Sequence, residues 1–294
     1  KLLIQPNGKN YSGDSVYQSI TGRREESQLE NFLQAIERLE KIERERSMIT
    51  RVGFIPTNLT KKIWDICDAA RNFGKIMFII GRSHIGKTTA LQEYTKANNH
   101  GATIYLRAPS SGTVTDTVFL LCQELNLSRS GNNLERKTAL FKAFNSNIVL
   151  IVDEAHQYLM NATTLKTIEF IREIHDRTGC GVVFAATEIF QTEMEKGEHK
   201  KLLSQLKMRS LIQAKLPDRP NLKNLADFAA HFGLSPAQDQ AKDLQDEIIR
   251  DYSLGRWLSM IEGASKIAAK SGNPLEWKHV LQSHAVLLNL EHGD

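Results

Sequence analysis

Residues Gly81-Arg82-Ser83-His84-Ile85-Gly86-Lys87-Thr88 follow the apolar run Ile76–Ile80 and precede a stretch, Ala90 to Tyr94, patterned as a helix. A G-x-x-x-x-G-K-T octet in that strand-to-helix setting is a phosphate-binding P-loop, and it commits this part of the chain to an α/β layer. The glycines let the backbone curl so that successive N–H groups face phosphate oxygens, and the first turn of the helix adds its positive dipole end. Gly81, Ser83, His84, Ile85 and Gly86 form the cradle, Lys87 reaches the β- and γ-phosphates, and Thr88, with Thr89 beside it, offers a hydroxyl to Mg²⁺.

A second run, Ile148-Val149-Leu150-Ile151-Val152, is apolar throughout and ends in Asp153-Glu154, as a strand buried on both faces should. This is a Walker B pattern: Asp153 holds Mg²⁺ through its water shell, and Glu154 is placed to polarise the attacking water. The strand Gly181 to Ala186 ends in Thr187, whose hydroxyl would orient that water beside the γ-phosphate. A helix cap is the plainer role for a threonine at such a point. Leu202 to Arg209 reads as an amphipathic turn before the last strand, from which Arg209, with Lys207 competing, would project toward the γ-phosphate of a neighbouring subunit. Arg256 falls in the first turn of a helix, where a cation opposes the dipole unless an anionic ligand compensates. Phe54 and Ile55, upstream of the P-loop, are either cover for the adenine or, as two apolar residues near a Pro more commonly are, simple core.

Strands expected at 75–80, 103–108, 148–153, 181–187 and 210–214 alternate with helices at 87–98, 115–125, 135–144 and 165–178. Alternation of this kind means parallel strands joined by helical crossovers, with ligands at the carboxyl ends of the strands. A helix around 58–71 precedes the first strand. Beyond Pro217-Asp218-Arg219-Pro220 only helical patterns remain, at 222–232, 238–252, 256–269 and 275–289. At the front of the chain, Leu29, Phe32, Leu33, Ile36, Leu39 and Ile42 recur at helical spacing within residues 26–48, after an irregular arm. The expected organisation is an arm with an amphipathic helix over 1–50, a nucleotide-binding α/β domain over 51–216 and a small all-α lid over 217–294.

The net charge of +4 and pI near 8.9 permit a polyanionic partner without requiring one. Cys67, Cys122 and Cys180 are odd in number and widely spaced, which excludes a disulfide framework or C-x-x-C metal site and points to a reducing cytosol. No run reaches the length of a membrane span, and Pro6 interrupts the start too early for a secretory core. Because the chain opens on Lys1, native sequence upstream is expected to be missing or processed. His84 and His156 have no companion ligands at metal spacing, Trp257 and Trp277 read as core, and no Gly-x-Ser-x-Gly elbow supports acyl transfer. After the second strand, Arg107, Ser110, Ser111 and Thr113, with Gly112 and a helix start, are suited to hydrogen-bond a phosphodiester backbone without reading bases.

Taken in order, Gly81–Thr88, Asp153-Glu154, Thr187, Arg209 and Leu254–Arg256 resemble the Walker A, Walker B, sensor 1, arginine finger and sensor 2 of an AAA+ ATPase, with a helical lid after Pro220. The fold so implied is an AAA+ P-loop NTPase with a parallel sheet flanked by helices. Within that superfamily the IVDEAHQY run and the LRAPSS segment are most similar to transposition regulators of the Mu B and TnsC kind. That resemblance implies ATP and Mg²⁺ as ligands and non-sequence-specific binding of double-stranded DNA through Arg107 and Ser110–Thr113. It also implies homo-oligomers in rings or helical filaments, and a transposase, with a target-selection protein, as partners. Two rivals stand beside it: a helicase loader or initiator-like ATPase, and a signalling or defence NTPase that switches a protein-binding platform without DNA.

Overall fold

The computed structural model describes residues 19, 29–37, 53–98, 101–159, 162–197 and 200–293. Five strands, β1 (Ile76–Ile80), β2 (Thr103–Arg107), β3 (Val149–Asp153), β4 (Gly181–Ala186) and β5 (Ser210–Lys215), form one sheet in the order β2-β3-β4-β1-β5. Every neighbouring pair is parallel, so all five carboxyl ends emerge on one edge.

Side chains alternate across a strand, and β1, β3 and β4 are buried at every position, which is why their sequences are apolar throughout apart from Asp153 at the end of β3. Ile76, Phe78 and Ile80 face one apolar cluster, and Met77 and Ile79 face the other. The second cluster is closed by α1 (Asn58–Phe73) and α2 (Lys87–Ala97) through Ile63, Cys67, Leu91 and Tyr94. Trp64 Nε1 donates to the Ala90 carbonyl at 2.9 Å and Tyr94 Oη to Asp68 at 2.7 Å, tying α1 to the helix that follows the P-loop. On the first face lie α3 (Val114–Glu124), α4 (Asn133–Ala143), a 3₁₀ turn (Ala155–Leu159) and α5 (Ala162–Thr178). With them are α6 (Glu188–Lys196) and α7 (Lys200–Arg209); Phe190 of α6 packs 5.7 Å from Phe78 and 6.4 Å from Phe184 between ring centres. Edge strand β5 is exposed at most positions, and its pattern is correspondingly mixed.

The strands lie where their sequences place them, within a residue or two. One helix is not expected from the sequence and another is longer than expected. Residues 188–196, passed over as a connection, form α6 with Phe190 and Met194 buried one turn apart, and the turn expected from Leu202 is the end of a ten-residue helix, α7. Four more helices follow: α8 (Leu222–His231), α9 (Gln240–Asp251), α10 (Leu254–Lys270) and α11 (Trp277–His292).

Packing divides the chain into two compact units. One holds Phe54–His231 with Ser235–Ser259; the other holds Phe232–Leu234, Met260 to the C-terminal end and the described residues before Gly53. Strands stop before residue 216, whereas α8, α9 and the first turns of α10 fall in the same compact unit as the sheet, so the compact units do not divide there. In the smaller unit, residues 29–37 are helical with Phe32 and Ala35 buried; the rest of the expected 26–48 helix and the arm before it lie outside the described residues, apart from Ser19. Among the described residues no helix is long and apolar enough to cross a membrane.

A candidate nucleotide site at the carboxyl ends of the strands

Beyond β1 the chain turns into the P-loop between two anchors. Gly81 N donates to the Ala186 carbonyl of β4 at 3.2 Å, and Leu216 N, just past β5, donates to the Ile80 carbonyl at 2.8 Å. His84 and Gly86 both take left-handed backbone conformations, with φ of 62° and 96°. At Gly86 a side chain would cost on the order of 1–3 kcal/mol, which gives the second glycine of the motif its physical reason. Gly86 heads α2 and provides no side-chain cap, so the first N–H groups of the helix remain turned to the loop as donors for an anion.

Lys87 is 7% exposed, and its Nζ donates to the carbonyls of Gly81 at 2.6 Å and Arg82 at 2.7 Å. Burial pushes its ammonium below the ordinary lysine range, while the carboxylates of Glu154, Asp153 and Glu188 push it back up. The structure therefore brings the P-loop lysine and the two Walker B acids into one electrostatic neighbourhood.

Asp153 is fully buried at the end of β3. Its Oδ1 accepts from Glu154 N at 2.9 Å, and its Oδ2 accepts from Tyr105 Oη at 2.9 Å. Glu154 stands in the left-handed region at φ 55°, a conformation costing on the order of 1–3 kcal/mol that turns the chain sharply out of the strand. Its Oε2 lies 3.4 Å from His156 Nδ1. A buried carboxylate with a threonine hydroxyl at the head of α2 is a set of hard oxygen donors, the kind a divalent cation such as Mg²⁺ takes, so Asp153 and Thr88 fit that ion.

Thr187 follows β4 and heads α6, yet its side chain makes no cap hydrogen bond, and its hydroxyl oxygen is buried without a hydrogen-bond partner among the described residues. The cap role open to it in the sequence is thus not the one it takes. An unsatisfied buried hydroxyl costs about 1–3 kcal/mol, which a phosphate oxygen or an aligned water would relieve.

The remaining expected residues are less concentrated. Arg256 lies 5.1 Å from the Tyr252 ring centre in the first turn of α10, and the same turn touches the P-loop, Gly255 N donating to the His84 carbonyl at 3.2 Å. Arg209 ends α7 at the surface, 42% exposed and 3.6 Å from Asp176, with Lys207 also exposed. Phe54 stacks on Trp64 with ring centres 6.1 Å apart. A cavity of about 200 Å³ beside the loop is lined instead by Asn58, Leu59 and Lys62 of α1, Ile85, the segment Pro217 to Asn221, Asn224 and Leu254. An apolar slot with a few polar groups at the mouth of a phosphate loop suits a planar base. Of its lining residues, Ile85 and Leu254 belong to motifs singled out in the sequence.

In the loop after β2, Arg107 and Ser110 are exposed. Ser111 Oγ and Thr113 Oγ1 both donate to the Asp116 carboxylate, the latter at 2.9 Å, and Thr113 caps α3 by accepting from Asp116 N at 3.2 Å. Those two bonds hold the Asp116 carboxyl below its usual range. Gly112, at φ 61°, sits so close to α5 that an added β-carbon would lie 2.7 Å from Thr164 Cγ2. Two of the hydroxyls expected to face DNA are therefore engaged within the protein.

A five-stranded parallel sheet in this order, a P-loop after β1 and acids after β3 define an AAA+ P-loop NTPase fold, and residues 71–194 match the AAA domain family. The chain carries an AAA domain. It is a distant homologue of Mu B proteins: it is 26% identical over 178 residues to the Mu-like prophage FluMu DNA transposition protein B of Haemophilus influenzae, covering 57% of this chain and 59% of that protein. With the ATP-dependent target DNA activator B of Escherichia phage Mu it shares 25% identity over 183 residues, 59% of this chain and 55% of that protein. The chain thus spans somewhat more than half the length of the curated relatives it matches. Among solved structures, the Aeropyrum pernix ORC1 protein in complex with DNA superposes with a TM-score of 0.60 at 15% identity, over 82% of this chain and 69% of that one. The ORC2 protein of the same organism, in ADPNP and ADP complexes, gives 0.59 at 15% identity, over 81% of this chain and 71% of that one. At that identity the likeness is one of fold.

Proposed function

We propose that this chain is an ATP-dependent, DNA-binding regulator of DNA transposition that oligomerises on target duplex DNA and recruits or activates a transposase. The observation that carries the reading is the similarity, over 178 and 183 residues, to proteins named for DNA transposition and target DNA activation. The site supplies the chemistry. Lys87 and the N–H groups at the head of α2 bind the phosphates, and the cavity bounded by α1 and Leu254 takes the adenine. Glu154 draws the proton from the attacking water as it closes on the γ-phosphorus in line with the leaving oxygen, and Thr187 orients that water. Thr88 and Asp153 would hold Mg²⁺, which would supply neutralisation of phosphate charge. Arg209 acts on the nucleotide of the next protomer, which ties turnover to assembly.

ATP at subunit interfaces favours the assembled, DNA-bound state, and hydrolysis favours release, because DNA binds the two states with different affinity. The test is electron microscopy on random-sequence duplex DNA with no nucleotide, with ADP and with a slowly hydrolysed ATP analogue, together with affinity over a salt series. Regular filaments or rings that require the analogue, with affinity falling steeply in salt, are the expected result. Nucleotide binding with no DNA affinity in any state would contradict the reading and favour a nucleotide switch that acts on protein.

A further inference from the structure

Tyr105 was not among the residues singled out from the sequence, and the chemistry above does not use it. It sits in β2 opposite Ile151 in the parallel register, two residues before the level of Asp153, so the two side chains share a face of the sheet. Its ring packs against the apolar cluster under α1 and α2, and its hydroxyl leaves that cluster to donate to Asp153 Oδ2 at 2.9 Å. Asp153 is thereby held at both oxygens, one by the amide of Glu154 and one by a phenol whose ring is seated in the core.

We propose that Tyr105 is the positioning residue for the Mg²⁺-binding carboxylate, holding Asp153 Oδ2 from a ring packed against the core so that the carboxylate is oriented before the ion binds. This rests on the reading of the site as one for a Mg²⁺-nucleotide. A carboxylate anchored at one oxygen only can rotate, and ordering it on binding weakens the ion's hold; partners hydrogen-bonded to metal-ligating groups typically change metal affinity by about 10–100-fold.

The experiment is Tyr105→Phe, which keeps the ring and removes the donor. Affinity for a fluorescent ATP analogue is measured in EDTA and along Mg²⁺ and Mn²⁺ series, with thermal unfolding in EDTA. The expected result is affinity in EDTA within about twofold of the parent, an unfolding midpoint close to the parent's, and a Mg²⁺ midpoint raised about tenfold or more. A Mg²⁺ midpoint unchanged in Tyr105→Phe overturns the proposal, as does a loss of affinity that is equal with and without metal, which is what a merely structural role gives. The underlying reading fails separately: a parent protein that binds the analogue no better than Lys87→Ala does has no P-loop site, and both claims fall.

Discussion

Two loops at the same edge of the sheet hold their polar groups in opposite ways. Around the P-loop and the ends of β3 and β4, polar groups stand ready for something outside the chain: the Thr187 hydroxyl is buried and caps nothing, and α2 begins without a side-chain cap. His84 and Glu154 take left-handed conformations there. In the loop after β2, Ser111 and Thr113 bond Asp116, Thr167 Oγ1 donates to the Gly112 carbonyl at 2.7 Å, and the loop is complete in itself. The first region holds strain and unmet hydrogen bonds, a sign of ligand binding; the second is stabilised as structure, and in the proposed function its DNA contacts would fall to Arg107, Ser110 and the backbone.

Substitutions can break this contrast. The largest effect is expected for Lys87→Ala, which removes a buried charge aimed at the phosphates and should weaken nucleotide binding by roughly 2–5 kcal/mol, read by calorimetry with the ATP analogue. Next is Glu154→Gln, which should bind ATP as the parent does while single-turnover hydrolysis falls about 10²–10⁴-fold; full turnover would remove Glu154 from the role of base. Thr187→Val should lower turnover by up to about 10²-fold while leaving thermal stability equal or higher, because it deletes an unsatisfied hydroxyl. A clear fall in stability would mean that Thr187 is structural after all.

Smaller effects sharpen the other side. Arg107→Ala should weaken DNA binding uniformly across sequences and reduce the slope of log affinity against log salt by about one. Thr113→Ala should cost about 1 kcal/mol of stability through loss of the α3 cap, with DNA affinity unchanged in titrations by anisotropy. If Thr113→Ala lost DNA binding and kept its stability, the contrast between the loops would be wrong.

What the sequence made legible was whatever is local. The P-loop, the acid pair and the strands of the sheet are contiguous patterns whose spacing and burial follow from backbone geometry. The amphipathic stretch 188–196 carried a readable signal in Phe190 and Met194 four apart, but at nine residues it resembles a connection. Two features needed the third dimension. The base-sized cavity gathers α1, the P-loop, the segment after β5 and the start of α10 from positions nearly two hundred residues apart in the chain, which no window spans. The hydrogen bond from Tyr105 to Asp153 exists because β2 and β3 are neighbours in a given register, and neither the strand order nor the register is written in either strand alone. The engagement of Ser111 and Thr113 by Asp116 is, by contrast, local: Thr113-x-x-Asp116 is a helix-start pattern within a few residues, so these hydroxyls were legible as structural.

The most direct test of the central claim joins the two loops in one titration: anisotropy of labelled random-sequence duplex DNA with the parent protein and with Lys87→Ala, in the slowly hydrolysed ATP analogue and in ADP. Tight binding by the parent that needs the analogue, and its loss in Lys87→Ala, is the predicted result. Equal DNA affinity in all four conditions would contradict it, because nucleotide held at the P-loop would then have no influence on DNA.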